Sequence, residues 1–246
     1  MTQGASGRDG GNSLKARVKT ARSRTLASTL WLQRQLNDPY VARAKREGYR
    51  SRAAYKLIEI DARAHILKPG QKIVDLGAAP GGWAQVAAAK IGAGKARGDG
   101  KGKVFAIDLL PMSPVPGVDF RQMDFLDPAA PQLLHEWLGG PADVVLSDMA
   151  ANATGHKKTD QLRIIGLVEL AAEFACEILG PGGAFLAKVL QGGTEAALLA
   201  RLKREFALVR HIKPPASRSD SSELYVLATG FRGRRERFAA SLPERD

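Results

Sequence analysis

Residues 74–83 read Val74-Asp75-Leu76-Gly77-Ala78-Ala79-Pro80-Gly81-Gly82-Trp83, a turn of small residues between two regular segments. The apolar run from Ile73 to Leu76 is typical of a buried strand, and an alanine-rich helical pattern follows Trp83. Glycine lets the backbone take a positive φ and lets a ligand come close, and the start of a helix offers free N–H groups. This stretch therefore predicts a strand, a tight turn and a helix that together border a ligand site.

A second acidic residue, Asp108, ends the next apolar run. An acid at that place suits a ribose diol, as in dinucleotide-binding folds. The dinucleotide fingerprint G-x-G-x-x-G is absent, however, because Gly77 is followed by Ala78-Ala79-Pro80-Gly81. A turn with proline also has fewer free N–H groups to hold a pyrophosphate. We therefore expect a nucleoside cofactor at the carboxyl edge of a parallel sheet, and a dinucleotide oxidoreductase is disfavoured.

The length of 246 residues fits one domain with tails, and a hydrophobic content of 44% is enough for a sizeable core. No apolar run approaches the length of a membrane span. The glycine-rich N-terminus has no apolar core of a signal peptide. The single cysteine, Cys176, excludes an internal disulfide. These features predict a cytoplasmic protein that does not bind a membrane.

The net charge of +12 is concentrated near the N-terminus. Residues 1–52 carry twelve Lys and Arg against three Asp and Glu, and residues 231–246 carry five against three. We expect a disordered basic arm over residues 1–26, a catalytic domain over 27–230 and a basic tail over 231–246. Basic arms suit polyanions, with RNA as the natural partner. The alternative for residues 1–26 is a tail that only improves solubility.

The alternation of apolar runs and helical patterns predicts an α/β fold with a mostly parallel sheet. The predicted strands are 73–76, 104–108, 119–122, 143–148, 184–190, 208–212 and 224–229, of which the last two form an antiparallel hairpin. Ser51 is expected to cap the helix that carries Lys56. Residues 160–179 are expected to form a long helix that Gly180-Pro181-Gly182-Gly183 ends.

Five charged residues stand out along this framework. Asp148 ends the fourth strand, where parallel sheets bind ligands. Lys188 lies inside an apolar run, and burial of an unpaired charge is costly, so it needs an acidic partner or a site. Asp124 follows the third strand and faces an adenine amino group or serves as a turn acid; the residues alone leave both open. By spacing alone Lys56 is a surface lysine, and Glu223 opens the last strand.

Two further features bear on ligands. The loop 213–222 is rich in hydroxyl groups and contains basic residues, so it can contact phosphates. The four histidines and the cysteine show no metal-ligand spacing, and we expect no metal site.

Lys56, Asp148, Lys188 and Glu223 stand in the K-D-K-E order that marks ribose 2′-O-methyltransferases, and D-x-G-x-x-P-G-G-W resembles motif I of S-adenosylmethionine-dependent methyltransferases. Neighbouring motifs share the resemblance: Ser51-Arg52-Ala53-Ala54-Tyr55-Lys56-Leu57, Asp108-Leu109-Leu110-Pro111-Met112, Ser147-Asp148-Met149-Ala150, Pro181-Gly182-Gly183, Lys188-Val189-Leu190-Gln191-Gly192 and Ser222-Glu223-Leu224-Tyr225. From about Thr29 to Gly230 the chain resembles the bacterial FtsJ/RrmJ (RlmE) family, the 23S rRNA uridine 2′-O-methyltransferases of the large ribosomal subunit. Ala151 replaces an expected proline, and Met123 replaces an expected glycine. Neither change removes an acid of the cofactor site or one of the four K-D-K-E residues, which we call the tetrad.

The resemblance implies a Rossmann-like methyltransferase fold, with a mostly parallel seven-stranded sheet and helices on both faces. It implies S-adenosylmethionine as the cofactor, held by residues of the turn and of the strand ends: Asp75, Gly77, Pro80, Gly81, Gly82, Trp83, Asp108, Leu109, Asp124 and Asp148. It implies Lys188 as the catalytic lysine, with Lys56, Asp148 and Glu223 completing the site. A neutral lysine amine can take the ribose proton, and repulsion from Lys56 would favour that neutral form.

Three other functions remain open at this point. The same tetrad would serve a ribose methyltransferase acting on transfer RNA or on a cap structure. A non-catalytic RNA-binding factor in ribosome assembly is a second alternative, which the intact tetrad disfavours. A dinucleotide oxidoreductase is the third. The resemblance favours ribosomal RNA within the large subunit as the partner, and we expect a monomer.

Overall fold

The structure is a computed structural model that describes Thr20 and residues 25–94, 102–150, 155–191 and 196–233. The predicted disorder of the arm therefore lies almost entirely outside the described residues, as does most of the basic tail. No helix among the described residues is long and apolar enough to cross a membrane.

Seven strands form one sheet in the order β3-β2-β1-β4-β5-β7-β6. The strands are β1 Lys72–Leu76, β2 Lys103–Asp108, β3 Val118–Gln122, β4 Ala142–Ser147, β5 Leu179–Leu190, β6 Phe206–Ile212 and β7 Glu223–Phe231. β1 to β5 pair in parallel, whereas β7 is antiparallel to both β5 and β6. The predicted mostly parallel sheet, closed by an antiparallel hairpin, is confirmed.

Seven helices are described along the chain. They are α1 Leu26–Leu36, α2 Pro39–Glu47, α3 Ala53–Ala64, α4 Gly82–Ile91, α5 Ala130–Leu138, α6 Lys157–Ile178 and α7 Ala196–Glu205. α2 has a strong start signal, because the Asp38 carboxylate accepts the Tyr40 N–H and Pro39 occupies the first turn. Asp38 lies in the two-residue connection between α1 and α2, so this cap fixes the start of α2.

The core is divided by the sheet into two apolar layers. In β5, Phe185 and Ala187 face the layer that holds α6 and α7, and Leu186 faces the layer that holds α3 and α4. Side chains of a strand alternate between faces, and here both faces are covered by helices. This arrangement explains why the central strands read as nearly continuous apolar runs in the sequence.

Two local predictions were wrong. Ser51 does not cap α3: the N-cap is Arg52, without a side-chain hydrogen bond, and the Ser51 hydroxyl is buried beside Gly82 with no hydrogen-bond partner among the described residues. The predicted long helix is present and ends at Ile178, but its strand starts earlier than expected, because β5 begins at Leu179 and includes residues 180–183. The glycines instead form an irregularity in the β4–β5 pairing between Ala142 and Val144.

Candidate active site

The carboxyl ends of β1, β2 and β4 converge at one edge of the sheet. Leu76 is in register with Ile107 on one side and with Ser147 on the other, so the residues that follow them are neighbours. The backbone N–H of Gly77 donates to the carbonyl of Ile107 over 3.0 Å, and that of Asp148 donates to the carbonyl of Leu76 over 3.3 Å. The pairing of three separate strands therefore assembles the predicted turn and the strand-end acids.

Gly77 is needed at the centre of this edge. Its φ is +78°, and a Cβ there would lie 2.7 Å from Cγ of Met149 and 3.0 Å from the Met149 Cα. A side chain at residue 77 would therefore displace the chain that leaves β4 after Asp148.

The Asp108 carboxylate is held in place by the backbone. Oδ2 accepts the Ala79 N–H over 2.8 Å, and Oδ1 accepts the Leu110 N–H over 2.8 Å. Each carboxylate oxygen has a second lone pair, so both oxygens can also accept hydroxyl groups. A fixed carboxylate with two free acceptor positions is what a ribose diol requires.

A cavity of about 660 Å³ lies along this edge. It is lined by residues of the strand ends and of α6: Gly77, Ala79, Ile107, Asp108, Leu109, Leu110, Met123, Asp124, Phe125, Leu126, Asp148, Met149, Ala150, Arg163, Gly166, Leu167 and Leu170. Leu109, Leu110 and Leu126 are more than half exposed. A volume within the range of small-molecule sites, with apolar walls and a few carboxylates, suits a nucleoside with a flat base.

Half of the predicted cofactor residues line this cavity. They are Gly77, Asp108, Leu109, Asp124 and Asp148. Sequence reasoning did not identify the α6 wall, where Arg163 and Leu170 contribute. The only signal was an amphipathic helix, which does not reveal that one end of the helix faces a ligand.

The other predicted cofactor residues build the turn behind the cavity. Gly81 has a φ of +105°, and a Cβ on it would meet Met112 Sδ at 2.8 Å. A Cβ on Gly82 would meet the Ser51 hydroxyl at 2.4 Å, so α4 packs closely on the start of α3. Trp83 is 2% exposed, and its indole N–H donates to the Ala53 carbonyl over 2.9 Å. Pro80, between Ala79 and Gly81, does not line the cavity either.

Arg50 fastens a proline-rich loop over this turn, and sequence reasoning missed it. Its guanidinium donates to the carbonyl oxygens of Ser113 over 2.6 Å, of Pro114 over 2.5 Å and of Pro80 over 3.4 Å. The loop that follows Asp108 is thereby tied to the turn that precedes α4.

Asp75 lies fully buried in β1, outside the cavity lining. Both of its carboxylate oxygens lack a hydrogen-bond partner among the described residues. Burial, and then repulsion from Asp148 and Asp108, raise the pKa of Asp75 to about 8. The Ala84 amide lowers this pKa but does not reach hydrogen-bonding geometry. At neutral pH the group is therefore mainly a neutral carboxylic acid. Its side chain lies beneath the turn and not at the cavity surface.

The four tetrad residues form two ion pairs. Lys188 Nζ lies 3.2 Å from Asp148 Oδ1 and donates to the Asp148 carbonyl oxygen over 2.6 Å. Lys56 Nζ donates to Glu223 Oε2 over 2.8 Å. All four side chains are less than a fifth exposed. The structure thus places each lysine beside one acid of the predicted set: Lys188 contacts Asp148, which lines the cavity, and Lys56, on α3, contacts Glu223.

Tyr225 connects the two pairs and was missed as an individual residue. Its hydroxyl donates to Asp148 Oδ1 over 2.9 Å, and Lys56 Nζ lies 5.8 Å from its ring centroid. Burial, followed by the charges of Asp148 and Glu223, raises the pKa of Tyr225 well above its usual value, so the hydroxyl remains a donor. Spacing offered a signal, since Tyr225 lies two residues after Glu223 and hence on the same face of β7.

Ser217 is a second missed residue. Its hydroxyl donates to Glu223 Oε1 over 2.8 Å, while Lys56 occupies Oε2. The loop 213–222 therefore fixes the Glu223 carboxylate from the side opposite to α3. Sequence reasoning flagged this loop for phosphates, but the contact that a hydroxyl makes with Glu223 depends on how the loop folds back.

The arrangement suits a nucleoside cofactor beside a group that can move a proton. The cavity offers a diol acceptor and apolar walls, and a lysine held by a carboxylate lies at its edge through Asp148. These are the parts needed to align a small transferable group with an acceptor hydroxyl.

Comparison with known proteins identifies the family of the chain. The model of the family described as FtsJ-like methyltransferase matches residues 49–231, well over half of the chain. The Xanthobacter autotrophicus protein named Ribosomal RNA large subunit methyltransferase E is 68% identical over 237 residues, which cover 96% of this chain and 91% of that relative. A relative of the same name from Azorhizobium caulinodans is 68% identical over 224 residues, covering 91% and 92%.

A solved structure shares the fold as well. A Plasmodium falciparum protein assigned as a ribosomal RNA methyltransferase superposes with a TM-score of 0.65 at 32% identity, covering 76% of this chain and 100% of that chain. The predicted methyltransferase fold and the resemblance drawn from the motifs are confirmed. Because the family model and these relatives match most of its length, the chain belongs to the FtsJ-like methyltransferase family.

Proposed function

We propose that the protein transfers a methyl group from S-adenosylmethionine to the ribose 2′-hydroxyl of a uridine in the 23S rRNA of the large ribosomal subunit. The observation that carries the chemistry is the contact of Lys188 with Asp148 at the edge of the nucleoside cavity. The choice of RNA rests on the relatives, whose names specify ribosomal RNA of the large subunit. We infer from such a substrate that the protein is cytoplasmic.

The cavity residues fit this cofactor. Asp108 presents two oriented oxygens for the ribose hydroxyls, and Asp124 lies on the same wall with its Oδ1 held by the Leu126 N–H over 2.9 Å. Leu109 and Leu126 supply apolar surface for an adenine ring. When bound, the cofactor's sulfonium supplies an already activated methyl group, so the protein is left to align the acceptor and remove its proton.

Lys188 is held in a way that suits a proton acceptor. Lys188 Nζ donates to the Asp148 carbonyl oxygen over 2.6 Å and lies 3.2 Å from Asp148 Oδ1, so the amine is fixed in position. Once it has lost a proton, its lone pair can accept the proton of the ribose hydroxyl. Lys56, held by Glu223, contributes a positive charge near the developing alkoxide, where such charge stabilises the transition state.

The test is methyl transfer to large-subunit rRNA with Lys188→Ala and Lys188→Arg. Loss of a general base typically costs about 10²–10⁴-fold in rate, and arginine should not restore it because a guanidinium stays protonated. Lys203→Ala, an exposed lysine on α7, is the control and should transfer methyl at the wild-type rate.

The product identifies the acceptor. A ribose-methylated position resists alkaline cleavage, because the attacking hydroxyl is blocked. A base-methylated product, or full activity of Lys188→Arg, would contradict the proposed mechanism. Methylation of transfer RNA or of a cap structure in place of the rRNA would contradict the proposed substrate.

A further inference from the structure

A second cavity, of about 350 Å³, opens beside the Lys56–Glu223 pair and is separate from the nucleoside cavity. Polar and charged side chains from α1, from the start of α3 and from the loop before β7 line it: Arg34, Gln35, Arg52, Lys56, Arg218, Asp220, Ser221 and Glu223. Since Lys56 and Glu223 line it, anything bound there would lie next to this pair of the tetrad.

The charges around this cavity do not balance. Arg52 and Arg218 share a single carboxylate, Asp38, at N–O distances of 2.6 Å and 2.9 Å. The Asp38 side chain is only 6% exposed, so it belongs to the protein interior rather than to the cavity surface. Four cationic side chains line the cavity, and the two lining acids together with Asp38 leave one positive charge in excess.

Two of the guanidinium groups have unused donors. Arg34 is exposed, and within the described part of the chain its side chain makes no ion pair or hydrogen bond. The Nε of Arg52 is buried and has no hydrogen-bond partner there. The Arg52 Nε is out of reach of a ligand, whereas the exposed Arg34 guanidinium can donate to an anion in the cavity.

Hydrogen bonds within the protein hold the cavity wall in place. The Ala216 N–H donates to Glu59 Oε2 over 2.6 Å, and the Arg52 guanidinium donates to the Ala216 carbonyl. At the other end of the loop, Lys213 Nζ donates to the Ser221 carbonyl over 2.7 Å. A preorganised wall costs little ordering entropy on binding, as specific sites require.

We propose that this cavity binds one backbone phosphodiester of the RNA, adjacent to the nucleotide that is methylated. A phosphodiester carries one negative charge, which matches the single excess positive charge, and its oxygens match the planar donors of arginine. This inference rests on the proposed function, since it takes the ribose as the acceptor. α1, which supplies Arg34, precedes residues 49–231, so the subsite extends beyond the region that matches the family model.

The experiment measures direct binding of a large-subunit rRNA fragment by fluorescence anisotropy across a range of salt concentrations, together with methyl-transfer kinetics. Arg34→Gln should weaken RNA binding and raise KM about threefold to tenfold, with kcat and S-adenosylmethionine affinity unchanged. The slope of log affinity against log salt should fall by about 0.7 for one lost phosphate contact on single-stranded RNA. Arg218→Gln should act in the same direction, with thermal melting used to check its fold.

Arg121→Gln is the matched control. Arg121 lies on β3, at the opposite edge of the sheet from β6 and β7, where it packs on Trp137. It should bind RNA with the affinity and salt slope of the wild type.

Wild-type affinity and salt slope in both Arg34→Gln and Arg218→Gln would overturn the subsite. Should Arg218→Gln fail to fold, Arg34→Gln decides alone. Since binding is measured without turnover, a base-methylated product would refute the proposed function and leave the result for the phosphate subsite intact.

Discussion

Replacing Tyr225 by phenylalanine tests whether the tyrosine positions Asp148. The change removes one hydroxyl and leaves a fully buried ring, whose centroid lies 5.5 Å from the centroid of the Trp83 ring. Asp148 Oδ1 loses the 2.9 Å hydrogen bond and keeps Lys188 Nζ at 3.2 Å. A hydrogen bond to a charged group contributes about 1.5–3 kcal/mol. If that free energy is needed to orient the pair in the transition state, kcat should fall about tenfold to a hundredfold.

Single-turnover methyl transfer measures this loss without interference from product release. The pKa of Tyr225 is raised well above its usual value, so the wild-type hydroxyl stays a donor, and the reduction should have the same size from pH 6 to pH 9. A purely structural hydroxyl would instead lower the melting temperature and leave kcat unchanged.

Tyr55→Phe separates the two outcomes. Tyr55 is also buried and donates to a carboxylate, Glu47 Oε2, over 2.8 Å, but it does not contact the tetrad acids. It should lose stability comparable to that lost by Tyr225→Phe and keep its kcat. Equal kcat values in Tyr225→Phe and wild type would refute the positioning argument.

Three further predictions follow from the structure. Asp108→Ala should weaken S-adenosylmethionine binding by about 1.5–3 kcal/mol, because a charged acceptor for the ribose is lost; unchanged affinity in calorimetry would remove Asp108 from the site. Asp75, with a folded pKa of about 8 against 3.8 unfolded, binds one more proton in the folded state between those values. The free energy of unfolding should therefore fall as pH rises from about 4 to about 8, by at most about 1.4 kcal/mol per pH unit, and urea titrations of Asp75→Asn should lack that contribution. Removal of residues 1–24 keeps Thr25, whose hydroxyl accepts the Ser28 N–H and caps α1. This deletion should lower RNA affinity and the salt slope without unfolding the domain. Identical salt slopes for the intact and the shortened protein would contradict a role of the arm in RNA binding.

Local sequence was sufficient for much of the fold. The run before Gly77, the small residues of the turn and the helix after Trp83 are short-range signals, and they predicted β1 and the start of α4 within one residue. The acids at strand ends were equally readable, because parallel strands bring their carboxyl ends to one edge. The mistake at Ser51 has a physical cause: its hydroxyl packs against Gly82, a contact that helix-capping rules do not include.

Lys188 could be identified from sequence, and its partners only in part. A lysine inside an apolar strand requires a counter-charge, which the chain order of the tetrad suggested as Asp148 or Glu223. The register of β5 with β7 decides the rest, because it sets Lys188 opposite Tyr225 and Leu190 opposite Glu223. Residues opposite each other in antiparallel strands share a face, and register cannot be read from either strand alone.

Sequence alone therefore determined the succession of strands and helices along the chain and the acids at the sheet edge. Both depend on local periodicity and on where strands end. Tertiary structure decided which of the turn residues face the cavity and which support it: Trp83 and Gly82 pack against α3, while Gly77 borders the cavity. It alone brought Arg52 and Arg218 to one carboxylate of Asp38. Such pairs join residues far apart in the chain, and their meeting depends on packing between elements, which no local pattern encodes.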